Sequence, residues 1–460
     1  METMPSKLSP DRANAKRSTW TQYALRWAMC LVALLIAALA GGAVASATVT
    51  SSDPNWGGSD PVSISHHNQD EALWPAIAIN ALDEVTVIWS DERGGTRDIY
   101  FREYNGASWS TPQAITSTVP DSTQSDLLAV GNKFFAAWIE PTDKKVYVTE
   151  LGSGQISALS TTYPPVDDSR PSLAATSSRL YTVFSVGDSL GIPDLYLATR
   201  PLASTGWTYF GPIYVSPAAL GAWWPAMDVS PDGQTLHLVW QEWNATTRAI
   251  NYISGTVGSG GSVTWSTTPV VLSTDHNQAI RPDIAVDDNG NVHVIWTEIG
   301  PAGYDEQYVR YTRLDAGSSS WLPSRRVDST HVEANEIAPT FVAARLAVWT
   351  DSESSDTTVC ASWHGFRDGD PTAEEALLTC SKNGGNTWGD TLNISRSTTQ
   401  EGADEISIRP TIAFDSSGDL HVAWQEFSVG GEVLYDYEIY YSRGGVGSGP
   451  VYLPLVMRKY

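Results

Sequence analysis

One sequence unit recurs seven times along the chain, and this repeat settles most of what the chain can become. Each copy opens on a short strand after a proline and turns on Asp, Asn or Gly. It then enters a second strand that ends in an aromatic residue and, usually, an acid. The clearest copy runs from Arg281-Pro282 through the turn Asp287-Asp288-Asn289-Gly290-Asn291 to Trp296-Thr297-Glu298. Sister copies run from Trp74-Pro75 to Trp89-Ser90-Asp91 and from Trp224-Pro225 to Trp240-Gln241-Glu242. Two more run from Ala338-Pro339 to Trp349-Thr350-Asp351 and from Arg409-Pro410 to Trp424-Gln425-Glu426. Two are degenerate: Ser125 to Trp138-Ile139-Glu140, and Arg170-Pro171 to Phe184, where the acid is missing.

A third strand follows each pair, as at Ile99-Tyr100-Phe101 and Tyr308-Val309-Arg310-Tyr311, and a fourth closes the unit, as at Gln113-Ala114-Ile115. The alternation and β-branched content fit half-buried strands. Four strands per roughly 50 residues is the pattern of a propeller blade. The chain therefore reads as all-β: a seven-bladed β-propeller of four-stranded antiparallel blades, with six blades as the alternative. The seventh unit lacks a fourth strand after Tyr441, whereas an orphan strand, Pro61 to Ser65, precedes the first unit. That strand is expected to complete the last blade and remove free sheet edges.

Lys and Arg total 28 against 52 Asp and Glu, a net charge of −24. This excludes a general nucleic-acid binder, which needs a basic face. It also opposes long polyanionic ligands unless a local cationic pocket overrides the field. Residues 1–27 are basic, and an apolar run from Met29 to Ala40 follows, shorter than the roughly 20 residues of a membrane span. Small residues end at Ala45-Ser46-Ala47. This order is that of a secretory signal peptide over 1–47, cut after Ala47; an uncleaved anchor is the alternative. The propeller then covers 48–445, with a short tail over 446–460. The expected location is secreted or at the cell surface, with no membrane span after signal cleavage. Cys30 leaves with the signal, so Cys360 and Cys380 are expected to form a disulfide, with two separate thiols as the alternative.

Residues Ser381-Lys382-Asn383-Gly384-Gly385-Asn386-Thr387-Trp388 resemble the Asp-box, or BNR repeat, of the sialidase-like superfamily, with Asn383 in place of the Asp. Remnants recur at Asn105 to Trp109, Gly260 to Trp265 and Ala316 to Trp321. The resemblance covers the mature chain at the level of blade pattern and implies a propeller whose boxes are structural. Sialidases, lyases and lectins share it. The arginine motif that sialidases carry early in the chain is missing here; Arg170-Pro171, Arg281-Pro282 and Arg409-Pro410 are the nearest strings.

In a blade, the first strand starts and the second ends on one face, because the two are antiparallel. Trp74, Arg170, Trp224, Arg281 and Arg409 therefore belong to that face. So do the acids Asp91, Glu140, Glu242, Glu298, Asp351 and Glu426. First strands line the central channel, so these groups are expected to ring its mouth. Arg with interleaved Trp binds a carboxylate bidentately and stacks a sugar ring. The alternative is a ring of Arg–carboxylate pairs tying blades together. His237, His293 and His421 share one blade position and read as packed strand residues.

Catalytic candidates come from the longer loops: Tyr304 with Glu306, Tyr437 with Glu438, and Asp91 or Asp370 as acid. No nucleophile elbow, phosphate loop, dinucleotide motif or paired Cys/His metal spacing occurs. No cofactor or metal is expected, with a structural calcium as the one ion the Asp-rich turns leave room for. The expected function is non-catalytic binding of a glycan or surface ligand at the channel mouth by a monomer. The alternatives are an extracellular carbohydrate-active enzyme, sialidase-like exo-glycosidase or polysaccharide lyase, and a protein-binding scaffold.

Overall fold

Strands of alternating residues, each followed by a tight turn, pair with their sequence neighbours before anything distant. The computed structural model describes residues 61–65, 71–93, 95–116, 121–142, 145–159, 165, 170–187, 192–214, 221–243, 246–274, 278–300, 307–328, 342–366, 374–395, 406–428 and 436–445. These residues form seven antiparallel sheets, six of four strands and one of five. Each is a meander in sequence order, apart from the last.

The sheets are the blades of a seven-bladed β-propeller. Inner strands begin at Ala72, Thr123, Ser172, Ala222, Ala279, Arg345 and Ile406, and neighbouring inner strands touch, the first and last included. In blade 4, Val263–Trp265 and Val270–Val271 both pair with the third strand, Arg248–Val257, which makes its fifth strand. In blade 7 the outer place is taken by Val62–Ser63, whose partners are Tyr441 and Tyr440. Two arginines of blade 1 also hold this segment: Arg93 donates to the Ser65 carbonyl at 2.9 Å, and Arg102 to the Ile64 carbonyl at 2.8 Å.

The core lies between blades. A buried tryptophan near the end of the second strand anchors six blades: Trp89, Trp138, Trp240, Trp296, Trp363 and Trp424. Phe184 takes that place in blade 3. Four of these indoles donate Nε1–H to the acid two residues on: Trp89 to Asp91, Trp138 to Glu140, Trp240 to Glu242 and Trp424 to Glu426, at 2.7–2.8 Å. Residues two apart in a strand share a face, so the acid turns toward the neighbouring blade with its tryptophan.

Blade 6 differs from the sequence reading. Trp349 lies on the inner strand, Arg345–Thr350, and the second strand is Thr357–Phe366 with Trp363 as its buried indole. Asp351 is therefore at the opposite end of the blade. Its carboxylate accepts the backbone N–H of Glu353 and Ser354 in a turn.

Cys360 and Cys380 are cross-strand partners and form a disulfide that spans 20 positions of chain. Closing a segment of that length constrains the unfolded chain by about 3 kcal/mol. The Cys360→Ala, Cys380→Ala double variant is expected to lose about that much stability in urea unfolding. An unchanged midpoint would refute the estimate.

The three strand histidines are packed by tyrosines. His237, His293 and His421 lie 2.7–2.8 Å from the hydroxyls of Tyr252, Tyr311 and Tyr441. Asp287 and Asp415 sit at 3.1 and 3.2 Å on the far nitrogens of His293 and His421. The Ser381–Trp388 turn links the third and fourth strands of blade 6. Ser381 Oγ accepts the Gly385 N–H, and Asn383 accepts that of Thr387. Trp388 meets Tyr311 of blade 5 edge-on at 5.0 Å.

Candidate functional site

The dipeptides that open the inner strands have a conformational role. Trp74, Gln124, Trp224, Arg281 and Arg409 all sit in the left-handed region, with φ between 49° and 55°. At each of them the ladder register slips, so that one strand carries an extra residue. These are β-bulges, which bend a strand and re-aim a side chain. Four of the five are followed by proline (Pro75, Pro225, Pro282 and Pro410), which has no N–H to lose where the ladder is broken. A left-handed, non-glycine residue is unfavourable and persists only where its surroundings over-determine it.

The surroundings come from the blade before. Gln425 accepts the Trp74 N–H at 3.4 Å, Gln241 that of Arg281 at 3.2 Å, and His364 that of Arg409 at 3.4 Å. Each acceptor directly follows the buried tryptophan of its blade. Burial pushes His364 down to about 3, helped by the Arg409 and Arg281 charges, so it accepts as a neutral ring.

The bulges aim their side chains into one cavity of about 120 Å³ at the end of the central channel. All seven blades line it, through Trp74, Gln124, Arg170, Trp224, Arg281, Arg345 and Arg409 together with some of their neighbours. Four guanidinium groups face it, and no carboxylate is among the described residues of its wall. Behind the wall, Arg170 pairs with Asp126 at 3.3 Å. Asp126 and Asp283 also accept the backbone N–H groups of Leu173 and Leu346 in the next blades. Burial pushes Asp283 up, against the pull of Arg345 and Arg170. Arg345 is lowered to about 10, first by burial and then by Arg170, with Asp283 and Asp126 opposing.

The two channel tryptophans carry cations. Arg281 stacks over Trp224 at 4.5 Å, and Arg409 over Trp74 at 5.0 Å. A second cation, Arg97, lies 5.3 Å from the Trp74 ring. Stacking on an indole face holds a guanidinium plane while leaving its N–H edge to point elsewhere. The arrangement is thus a rigid cationic cup in a chain of net charge −24, and it suits a planar anionic group.

All five channel residues expected from sequence, Trp74, Arg170, Trp224, Arg281 and Arg409, line this cavity. Glu242, Glu298 and Glu426 do not; they are buried at 9%, 1% and 2% exposure. Asp91 is likewise buried, between Trp89 and Arg93. Glu298 departs from its sisters and binds Arg310 at 3.1 Å instead of its tryptophan. Tyr437 packs on Phe427 at 4.9 Å, and Glu438 pairs across the strands with Glu426, both away from the cavity wall. Tyr304, Glu306 and Asp370 lie outside the described residues, as do 1–47 and 446–460. Among the described residues no three His, Cys, Asp or Glu are grouped to hold a metal, and no helix is long and apolar enough to cross a membrane.

Sequence reasoning missed Gln124, Arg345, Gln241, Gln425 and His364. The first two lack the proline that marked their sister positions. The repeated Trp-Gln-Glu at 240–242 and 424–426 was the available signal for the glutamines.

No family model matches the sequence, and no curated protein matches it. Solved structures do share its chain path. The phage phi92 endosialidase is 11% identical, over 88% of this chain and 71% of that one, with a TM-score of 0.49. AofleA from Arthrobotrys oligospora is 10% identical, over 74% and 90%, with a TM-score of 0.45. The NanB sialidase from Streptococcus pneumoniae is 8% identical, over 82% and 68%, with a TM-score of 0.45. At this level the similarities add nothing to what the sheets themselves show.

Proposed function

We propose that this chain is an exported, monomeric β-propeller that binds a glycan or other surface ligand, without turnover, through an acidic group seated at the channel mouth. The observation that carries the reading is the set of four guanidinium groups aimed into one cavity from different blades. Ion pairing alone between blades needs no left-handed backbone at Arg281 and Arg409, yet both positions carry it. A cationic cup inside a strongly acidic protein focuses its field inward and selects a ligand with one local negative charge over a polyanion. In this reading residues 1–47 are the export signal, and protein recovered from the medium begins at Thr48.

The test is a glycan array run with a parallel panel of chromogenic glycosides and uronic-acid polymers. Acidic glycans are expected to bind without turnover. Arg281→Ala and Arg409→Ala should each lower affinity roughly tenfold or more, as expected for a lost charged hydrogen bond, while the protein stays folded. Turnover that depends on a loop acid or tyrosine would replace this reading with the enzyme alternative. Silence on both panels would favour a protein partner and leave the arginines a structural role.

A further inference from the structure

Blade 2 departs from its sisters at the channel mouth. Five blades open on Trp-Pro or Arg-Pro, as at Trp74-Pro75 and Arg170-Pro171, whereas blade 2 opens on Gln124-Ser125. Gln124 holds φ 55° and the ladder slips across it, so it forms the same bulge as Trp74 or Arg281 and lines the same cavity. Glycine would take that backbone without strain; a glutamine kept there carries a cost.

The amide of Gln124 is uncommitted. Two other glutamines near the cavity, Gln241 and Gln425, hold backbone N–H groups of the next blade. The Gln124 side chain, half-buried, has no hydrogen-bond partner among the described residues. Nor does the Ser125 hydroxyl beside it, so neither engages the other. Around them, the four guanidinium groups and two indoles of the wall have hydrogens to donate and no lone pair to accept with. Side-chain acceptors reach the described wall from blade 2 alone.

An acceptor among cations serves a ligand group that has a hydrogen to give. An ionised carboxylate has none; a hydroxyl has one, and its oxygen also takes an amide N–H. The cavity of about 120 Å³ is well below the roughly 300–1,000 Å³ of a site for a whole drug-sized ligand, so a group held by the arginines lies within reach of the amide. We infer that Gln124 reads a hydroxyl near the carboxylate of the ligand, and so makes the cup selective for hydroxy-carboxylates, such as the acidic end of a sugar, over plain carboxylates. This inference rests on the acidic-group reading of the cup.

The experiment is a ligand-observed NMR titration of the full chain with two probes of one ring size. One is glucuronic acid; the other is tetrahydropyran-2-carboxylate, which keeps the ring oxygen and the carboxylate but has no hydroxyl. Glucuronic acid is expected to bind about tenfold tighter, the effect of one or two hydrogen bonds. Gln124→Gly suits the left-handed backbone, and Gln124→Met keeps the side-chain length without its hydrogen bonds. Each should remove most of that advantage while changing the tetrahydropyran-2-carboxylate affinity less than twofold. Equal binding of both probes by the natural protein, or an advantage that survives in the variants, overturns the role of Gln124 and leaves the cup standing. If neither probe binds, the cup itself has failed, and this inference with it. The tetrahydropyran-2-carboxylate affinity also reports folding: if one variant loses it, the other decides, and loss in both would make Gln124 a structural residue and overturn its role in selection.

Discussion

Trp424→Phe is expected to destabilise the protein by about 2 kcal/mol more than Trp296→Phe, although both indoles are completely buried. The difference lies in one hydrogen bond. Trp424 Nε1–H donates to Glu426 at 2.7 Å, and Ser407 donates to the same carboxylate oxygen at 2.6 Å. Phenylalanine at 424 removes a donor from a carboxylate that is 2% exposed, a loss of about 1.5–3 kcal/mol for a charged hydrogen bond. Trp296 Nε1 has no acceptor among the described residues, because Glu298 has turned to Arg310. Phenylalanine there loses packing but relieves a buried N–H. Trp424→Ala is the larger change, about 4 kcal/mol or more, since a cavity is added to the lost hydrogen bond. Urea unfolding of the three variants checks this. Equal losses in the two phenylalanine variants would show that the Trp–acid bonds contribute nothing.

That comparison also marks how far the sequence could be read. The blade count was legible because the repeat is periodic and each copy carries its own turn. The outer strand of the last blade was legible because Pro61 to Ser65 had no other partner. The Cys360–Cys380 pair followed from there being two cysteines after residue 47. Phase within blade 6 was not legible. Ala338-Pro339 to Trp349-Thr350-Asp351 imitates the repeat one strand early, and alternating apolar residues fit an inner strand as well as a second one. The acids illustrate a different limit. Position along a strand says which end of a blade a residue reaches, whereas the side it faces follows from period-two alternation. Alternation puts Asp91, Glu140, Glu242 and Glu426 with their tryptophans between blades. Trp74, Trp224, Arg281 and Arg409 escape it because a bulge re-aims them, and bulges are invisible to a strict alternation rule. Arg345 reaches the same cavity with neither a proline nor a left-handed residue to announce it.

Acid is expected to destabilise the fold well before its carboxylates are neutralised. Burial lowers His237 from 6.5 to about 4 and His364 from 6.5 to about 3, the latter helped by Arg409 and Arg281. Burial also lowers His293, against the pull of Asp287. Each ring is neutral in both states above pH 6.5, so it contributes no pH dependence there. Below 6.5 the unfolded chain takes up these protons while the folded protein refuses them, and stability falls until the folded values are reached. Asp228 works the other way. Burial raises it to about 6, so it penalises the folded state at neutral pH, and that penalty fades as pH drops toward 3.8. Each pH unit per group is worth ~1.4 kcal/mol. His237 and His364 set against Asp228 alone give a loss of about 4 kcal/mol between pH 7 and pH 4; His293 adds to it, while Asp283 and Asp328, also raised by burial, offset part of it. Asp287 adds to the loss only at lower pH: burial opposes its ionisation, but hydrogen bonds from His293 and Asn291 hold it at about 2. Urea unfolding at pH 7, 5.5 and 4 measures this directly. A stability that holds or rises across that interval would mean that the buried rings accept protons in place, or that the blades open to water around them without unfolding. His364→Gln should flatten the slope between pH 6.5 and 4 by about one proton if the ring behind the arginine cup is the main contributor.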